Sequence, residues 1–202
     1  MLNLKWLTDF TYKIEDKAVK SNFIYKIASG YYHDVIAKEA TLANITEKDH
    51  ILCIGGGICP FSAILFHQIT GAKVTVIDNN EICIPKAKQV IQRLGLNQQV
   101  HVLCQDGRTA DISFSDYTII HFALQVSPME QVFDIIERQV MSGTRLLIRR
   151  PKKRLKNMYC KVAKTLLSYC PYVAHKSRNI GSTVLYIKQD EAGYPACSKV
   201  AV

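Results

Sequence analysis

ILCIGGGICP, residues 51–60, is an apolar run that ends in three consecutive glycines, Gly55, Gly56 and Gly57, and continues into Cys59 and Pro60. Around it, HILCIG (50–55) predicts a short buried strand. Phe61 to Thr70, apolar at 61, 64, 65, 66 and 69, predicts a helix lying on a sheet, and AKVTVID (72–78), rich in β-branched residues and closing on an acid, predicts the next strand. Strand, glycine turn, helix and second strand make one β–α–β unit, which is the seed of the whole fold.

The pattern repeats outward. A second helix over Ile84–Leu94 places Ala87, Val90, Ile91 and Leu94 on one face and stops at Gly95, with Pro85 tolerable in its first turn. Then follow VHVLCQD (100–106), DYTIIHFAL (116–124), a helix near Met129–Val140, the strand TRLLIRR (144–150), a basic amphipathic helix from about Lys153 to Tyr169, and STVLYIK (182–188). Strands alternating with helices at this spacing predict an α/β fold: a doubly wound, mostly parallel, Rossmann-like sheet over residues 50–190, with the last strand as an antiparallel edge. Residues 1–49 are expected to form a separate helical segment. Leu4, Leu7, Phe10 and Ile14, then Phe23, Ile24 and Ile27, then Val35, Ile36 and Leu42 follow helical spacing with a break near Gly30, so two or three helices are expected over the mouth of the sheet. Residues 191–202 read as a loosely ordered tail.

In open α/β sheets ligands bind beyond the carboxyl ends of the strands, where the crossovers change direction. The glycine turn stands at such an end. Gly55 and Gly57 permit a tight turn without a Cβ and leave backbone N–H groups at the head of the next helix for an anionic or polar ligand. Asp78, 23 residues after Gly55, ends the second strand, where a carboxylate can accept from both hydroxyls of a ribose. Asp106 ends the following strand, where an adenine amino group can donate to it. The expected binding residues are therefore Gly55, Gly56, Gly57, Asp78, Asn79, Asp106 and Gly107, against the plainer reading of a turn that only ends a strand. Nicotinamide dinucleotide, flavin dinucleotide and S-adenosylmethionine all carry a ribose and an adenine. In the dinucleotide fingerprint the sixth position from Gly55 is a glycine, for close approach around a pyrophosphate; here it is Pro60, and S-adenosylmethionine has no pyrophosphate.

Composition sets the surroundings. With 202 residues, 48% of them hydrophobic, the chain suffices for one sizeable core. No run approaches about 18 apolar residues and the N-terminus carries acids, so neither a membrane span nor a secretion signal is read, and a cytoplasmic location is expected. Seven cysteines without a CxxC pair read as reduced thiols packed as small hydrophobes, and no metal site is expected. The net charge of +9 is concentrated: between Glu137 and Asp190 there is no acid, while that interval holds 13 of the 26 Lys and Arg. Such a region can meet phosphates or an anionic substrate, or can simply be solvated.

With these residues in view, the chain resembles the class I S-adenosylmethionine-dependent transferases over roughly residues 48–188. LCIGGGIC stands at the glycine motif, VTVIDNNEICIPKAKQVI at the second motif with Asp78 and Ala87 in their spacing, LCQDGR at the third and SGTRLLIRR at strand five. Cys53 replaces the acid often found in strand one, and Cys59 the last glycine. IGGGICP, DYTIIHFAL, SGTRLLIRRPKKR and NIGSTVLYIK are similar in detail to nicotianamine synthases, which carry IG-x-G-x-x-P in this loop behind a helical segment. That resemblance implies S-adenosylmethionine as cofactor and transfer either of methyl or of 3-amino-3-carboxypropyl. It also implies a helical glutamate, matched to Glu39 and preceded by Tyr31 and Tyr32, that orients or deprotonates an amine acceptor while Tyr32 shapes its pocket.

The same residues have plainer readings: Glu39 as an exposed helical acid, Tyr32 as a packing ring, His121 as a core histidine. Arg149 and Arg150, ending strand five, either grip a substrate carboxylate or begin the solvated basic helix. No [DNS]PP[YF] motif follows the strand at 116–124, where Gln125 and Ser127-Pro128 stand, which disfavours methylation of base amino groups. A small-molecule acceptor, an amine or carboxylate, is the leading expectation. An RNA methyltransferase using the basic 145–178 region is the rival, and a non-catalytic nucleotide-binding regulator is the third reading.

Overall fold

The structure is a computed structural model and describes residues 15–190 apart from 18 and 160–164; the expected tail at 191–202 and the helical pattern at Leu4–Ile14 lie outside the described residues. A helical stretch at 15–17 and 19–20 leads to α1 (Asn22–Leu42), after which β1 (His50–Ile54), α2 (Phe61–Thr70), β2 (Lys73–Asp78), α3 (Cys83–Arg93), β3 (Val100–Cys104), β4 (Ile119–Phe122), α4 (Met129–Gln139), β5 (Arg145–Pro151), β6 (Tyr172–Ala174) and β7 (Ile180–Ile187) follow. They form a seven-stranded sheet in the order β3-β2-β1-β4-β5-β7-β6.

Strands β1 to β5 are parallel, and β7 runs antiparallel between β5 and β6. Burial on both faces explains the unbroken apolar runs. Within β1 the alternation is clean: Ile51 and Cys53 face the core shared with α1, α2 and α3, whereas Leu52 and Ile54 face the core beneath α4. The chain crosses from one side of the sheet to the other between β1 and β4, so the carboxyl ends of those strands frame a crevice.

Three expectations are corrected. Helix α1 runs through Gly30 without a break. A side chain at Gly30 would meet nothing within 4 Å, so the glycine sits on the open face and costs only its propensity, about 1 kcal/mol. Against that stand Tyr25, Ile36 and Ala43, buried in the core with α2, and Ser21, whose Oγ accepts from Ile24 N–H at 3.4 Å to cap the first turn.

The basic helix expected from Lys153 is not formed over 153–159, which are a 3₁₀ turn and further turns. Residues here are tied sideways instead: Lys152 Nζ donates to His175 O at 2.5 Å and Arg154 Nη2 to Arg178 O at 3.1 Å, while Leu155 is buried. Finally, β7 is not the edge of the sheet; β6, too short to show an alternating pattern, pairs with it on the outside. Among the described residues no helix is long and apolar enough to cross a membrane, and no group of His, Cys, Asp and Glu could hold a metal ion.

Candidate functional site

At the carboxyl ends of β1, β2 and β4 lies a cleft of about 450 Å³, lined by the glycine turn, Asp78, Asn79, Asp106 and Gly107 on one side and by Tyr31, Tyr32 and Tyr159 on the other. All seven expected binding residues thus share one wall. The turn is built by its glycines. Gly55 and Gly57 have φ of +83° and +62°, in the left-handed region where a Cβ is strained, and a Cβ on Gly56 would overlap Val76 Cγ1. Gly107 is equally constrained, since a Cβ there would lie 2.8 Å from Val132.

Asp78 holds this turn from the end of the neighbouring strand β2. Gly56 and Gly57 N–H donate to its Oδ2 at 2.9 and 2.8 Å, and Asn80 N–H donates to its Oδ1 at 2.9 Å. Its first role in the fold is therefore to fix the loop. Asp106 is gripped by its neighbour: Arg108 donates from Nε to Oδ1 at 3.0 Å and from Nη2 to Oδ2 at 2.6 Å. Hydrogen bonds from Arg108 hold the Asp106 carboxyl below the ordinary range. The N–H groups of Gly55, Gly56 and Gly57 are taken within the protein by Ile77 O and Asp78, so the free donors expected at the turn are not there; carboxylates at two successive strand ends and a volume within the usual range for bound small molecules, about 300–1,000 Å³, fit an adenosine-bearing ligand.

The opposite wall comes from α1 and β5. Tyr25 and Tyr32 each stack on Phe61, at centroid distances of 5.5 and 5.4 Å, which docks α1 on the first residue of α2. Tyr32 lines the cleft; burial raises its hydroxyl pKa well above the ordinary value. Glu39 does not line the cleft. It is fully buried, and its carboxylate accepts from Arg149 Nε and Nη2 at 2.8 Å each and from Thr183 Oγ1 at 2.5 Å. Burial alone would raise the Glu39 pKa, but the Arg149 charge and its hydrogen bonds outweigh this and hold it far below the carboxylate range.

Arg149 and Thr183 reach Glu39 together because they are cross-strand partners in β5 and β7. Since Thr183 donates to Glu39, His175 Nε2, 2.8 Å from Thr183 Oγ1, must be the donor to that hydroxyl. His121, as expected, is a core residue; its Nε2 lies 3.5 Å from Glu39 Oε2 without hydrogen-bond geometry, and burial lowers its pKa. Arg149 faces the cleft on its other side, where Nη1 donates to Ser62 Oγ at 2.9 Å.

Residues that sequence reasoning passed over complete the walls. Ser62 lies one position into α2. Asn179 and Ile180 are turned into the cleft by an irregularity in the β5–β7 pairing at Arg150/Pro151, opposite Gly181, where a Cβ would lie 2.8 Å from Pro151 O. The GS pair in NIGSTVLYIK is the available signal for that irregularity. Glu15 reaches the cleft from the segment ahead of α1, and no local motif marks it.

Comparison with known proteins agrees with this architecture. A sequence profile described as protein-L-isoaspartate(D-aspartate) O-methyltransferase (PCMT) matches residues 9–166. A carboxy-S-adenosyl-L-methionine synthase of Shewanella denitrificans is 24% identical over 136 residues, covering 65% of this chain and 56% of the relative, so the chain spans little more than half the length of that protein. Among solved structures, a mutant of the nicotianamine synthase MtNAS in complex with S-adenosylmethionine superposes with a TM-score of 0.75 at 20% identity, covering 92% of this chain and 76% of that one. An RNA methyltransferase from Salinibacter ruber in complex with S-adenosyl-L-homocysteine gives a TM-score of 0.64 at 16% identity, covering 80% and 95%. Such identities speak for the fold, which is that of the class I methyltransferases. The profile spans well over half of the chain, and with the glycine turn, the two strand-end carboxylates and the sheet order it fixes the family: the chain belongs to the S-adenosylmethionine-dependent protein-L-isoaspartate(D-aspartate) O-methyltransferase (PCMT) family.

Proposed function

We propose that the protein is an S-adenosylmethionine-dependent transferase acting on a small-molecule acceptor, an amine or a carboxylate, and moving either methyl or 3-amino-3-carboxypropyl. The observation that carries this reading is the presence of Tyr31, Tyr32, Tyr159, Asn179 and Arg149 in the same cleft as the glycine turn, a set of aromatic and polar groups suited to a compact amine or carboxylate. When bound, S-adenosylmethionine supplies a sulfonium whose attached carbons are electrophilic, so alignment does most of the catalytic work.

In this reading Gly55, Gly56, Gly57, Asp78 and Asn79 seat the ribose and the amino-acid end, and Asp106 with Gly107 seats the adenine. Tyr32 shapes the acceptor pocket and excludes water. Glu39 acts on the acceptor through Arg149: a carboxylate so strongly stabilised in its ionised form is a poor proton acceptor, but it fixes the guanidinium face that meets the acceptor.

The nicotianamine synthase-like transfer draws on MtNAS, which superposes at 21% identity in a complex holding MTA and tNA. The RNA reading is weakened by the use to which the basic region is put. Arg145 donates to Ala43 O and to Asp49, Arg149 to Glu39, Arg150 to Leu167 O, Lys152 to His175 O and Lys188 to Glu137, so these cations hold the fold together.

The deciding experiment incubates the purified protein with S-adenosylmethionine and a panel of small amines and carboxylates and separates the nucleosides by chromatography. Methylthioadenosine is expected from aminocarboxypropyl transfer and S-adenosylhomocysteine from methylation. No calorimetric binding of S-adenosylmethionine overturns the proposal.

A further inference from the structure

Among the described residues three carboxyl groups face the cleft: Glu15, Asp78 and Asp106. Two are already provided for. Asp78 takes three backbone N–H groups and Asp106 takes the Arg108 fork. Glu15 lies near the Ile58 N–H, and among the described residues no cation pairs with it.

Its position is specific. Glu15 Oε2 would lie 3.0 Å from a Cβ on Gly57, so the carboxyl rests directly on the glycine turn, close enough to Asp78 to feel its charge. Among the described residues, the titratable groups around it are neutral or acidic, while Arg149, which lines the same cleft, is already paired with Glu39. Tyr32, Cys59 and Cys83 are all pushed up in pKa by burial, with Glu15 adding to the shift in each, and Asp78 is a second acid. Lys20 of its own segment and Lys86 of α3 serve Asp16, which accepts from them at 2.7 and 2.6 Å. Strand β1, which runs into the turn, brings Cys53, a buried thiol pushed up to about 12, and therefore no charge.

We propose that Glu15 is a donor-binding residue whose carboxylate pairs with the positively charged end of the ligand, its sulfonium or the ammonium of its amino-acid tail. The assignment rests on the reading of the cleft as an S-adenosylmethionine site. A half-buried carboxyl beside another acid, with no counter-ion among the described residues, costs free energy, and a cationic ligand removes that cost. Burial, with Asp78 adding to it against the Ile58 N–H, pushes Glu15 up to about 8, so near neutral pH the group is largely protonated until a cation arrives. It also gives the N-terminal segment a part in the site, since Glu15 precedes α1 and closes over the turn from outside the sheet.

The test compares unaltered protein with Glu15→Gln by titration calorimetry against S-adenosylmethionine, S-adenosylhomocysteine and methylthioadenosine, with circular dichroism to verify folding. The expected result for Glu15→Gln is a loss of about tenfold or more in affinity for S-adenosylmethionine. Methylthioadenosine, which carries neither cation, should bind both proteins alike. S-adenosylhomocysteine keeps only the ammonium: an equal loss assigns Glu15 to the ammonium, and no loss assigns it to the sulfonium.

In two buffers of different ionisation enthalpy at neutral pH, the unaltered protein should release up to one proton on binding S-adenosylmethionine and Glu15→Gln none. Should Glu15→Gln unfold, Glu15→Asp, which keeps the charge but shortens its reach, serves in its place with an intermediate loss expected. Unchanged or tighter binding of S-adenosylmethionine, or an equal loss for methylthioadenosine, overturns the assignment. Failure of all three nucleosides to bind the unaltered protein overturns the donor reading beneath it, and the assignment with it.

Discussion

Arg149 grips both oxygens of Glu39 at 2.8 Å, so that a helix lying outside the sheet and a strand near its centre share one buried ion pair. The pair sets α1 as a brace at its C-terminal end and aims Arg149 at the cleft. Removing one partner leaves an uncompensated buried charge. Glu39→Gln should cost about 3–5 kcal/mol in urea unfolding and depress acceptor turnover, with Arg149→Met costing a similar amount. Because each single change strands the other residue, the double replacement Glu39→Gln/Arg149→Met should cost much less than the two together. Additive costs would show that the pair is not energetically coupled.

Gly56 has no room for a side chain, because a Cβ there overlaps Val76 Cγ1 on β2. Gly56→Ala should therefore displace the turn, with a stability loss of about 1–3 kcal/mol and a weakened affinity for S-adenosylmethionine. Val76→Ala opens the space, and the double variant should regain part of the binding. A Gly56→Ala protein that binds as tightly as the unaltered one would remove the turn from the donor site.

The same turn marks how far the sequence could be read. Glycines, β-branched runs and strand-end acids are local signals, and they located the parallel sheet and the wall carrying Gly55–Gly57, Asp78 and Asp106. Contacts between residues distant in the chain leave no such signal. Glu39 is separated from Arg149 by 110 positions, and nothing in the helix that carries it announces a buried partner. The break read at Gly30 failed because tertiary packing of Tyr25 and Ile36 outweighs a single glycine. The helix read from Lys153 gives way over 153–159 to turns, in which Arg154 bonds to the distant carbonyl of Arg178 and Leu155 is buried. Glu15 was invisible for the same reason: it meets the turn at Gly57, more than forty residues away.

Asp78 ties β2 to the glycine turn through bonds at 2.8 and 2.9 Å to one carboxylate oxygen, with the other oxygen serving Asn80. Asp78→Asn keeps one acceptor and turns the other into a donor facing N–H groups. Hydrogen bonds to a charged group are worth about 1.5–3 kcal/mol, and a loss of that order is expected in thermal or urea unfolding. Affinity for S-adenosylmethionine should fall more than that for a ligand lacking the ribose. Stability and affinity both unchanged would contradict the role given to Asp78.

Glu15 gives the unliganded protein a pH dependence whose sign can be worked out. Its folded-state pKa, about 8, lies above its ordinary value of 4.5, so the folded protein holds a proton that the unfolded chain releases. Stability contributed by this group is fully present below the ordinary value and declines as pH rises toward the folded one. Glu39 acts in the opposite sense. Its pKa is lowered by folding, so its contribution is present above the ordinary carboxylate range and is lost only as strong acid protonates it. Melting temperatures measured between about pH 5 and 9 should thus fall toward the alkaline end in the unaltered protein, and Glu15→Gln should flatten that decline. Saturating S-adenosylmethionine should flatten it as well, by supplying the counter-charge. Parallel curves for the two proteins would mean that the Glu15 carboxyl is solvated rather than pressed against the turn.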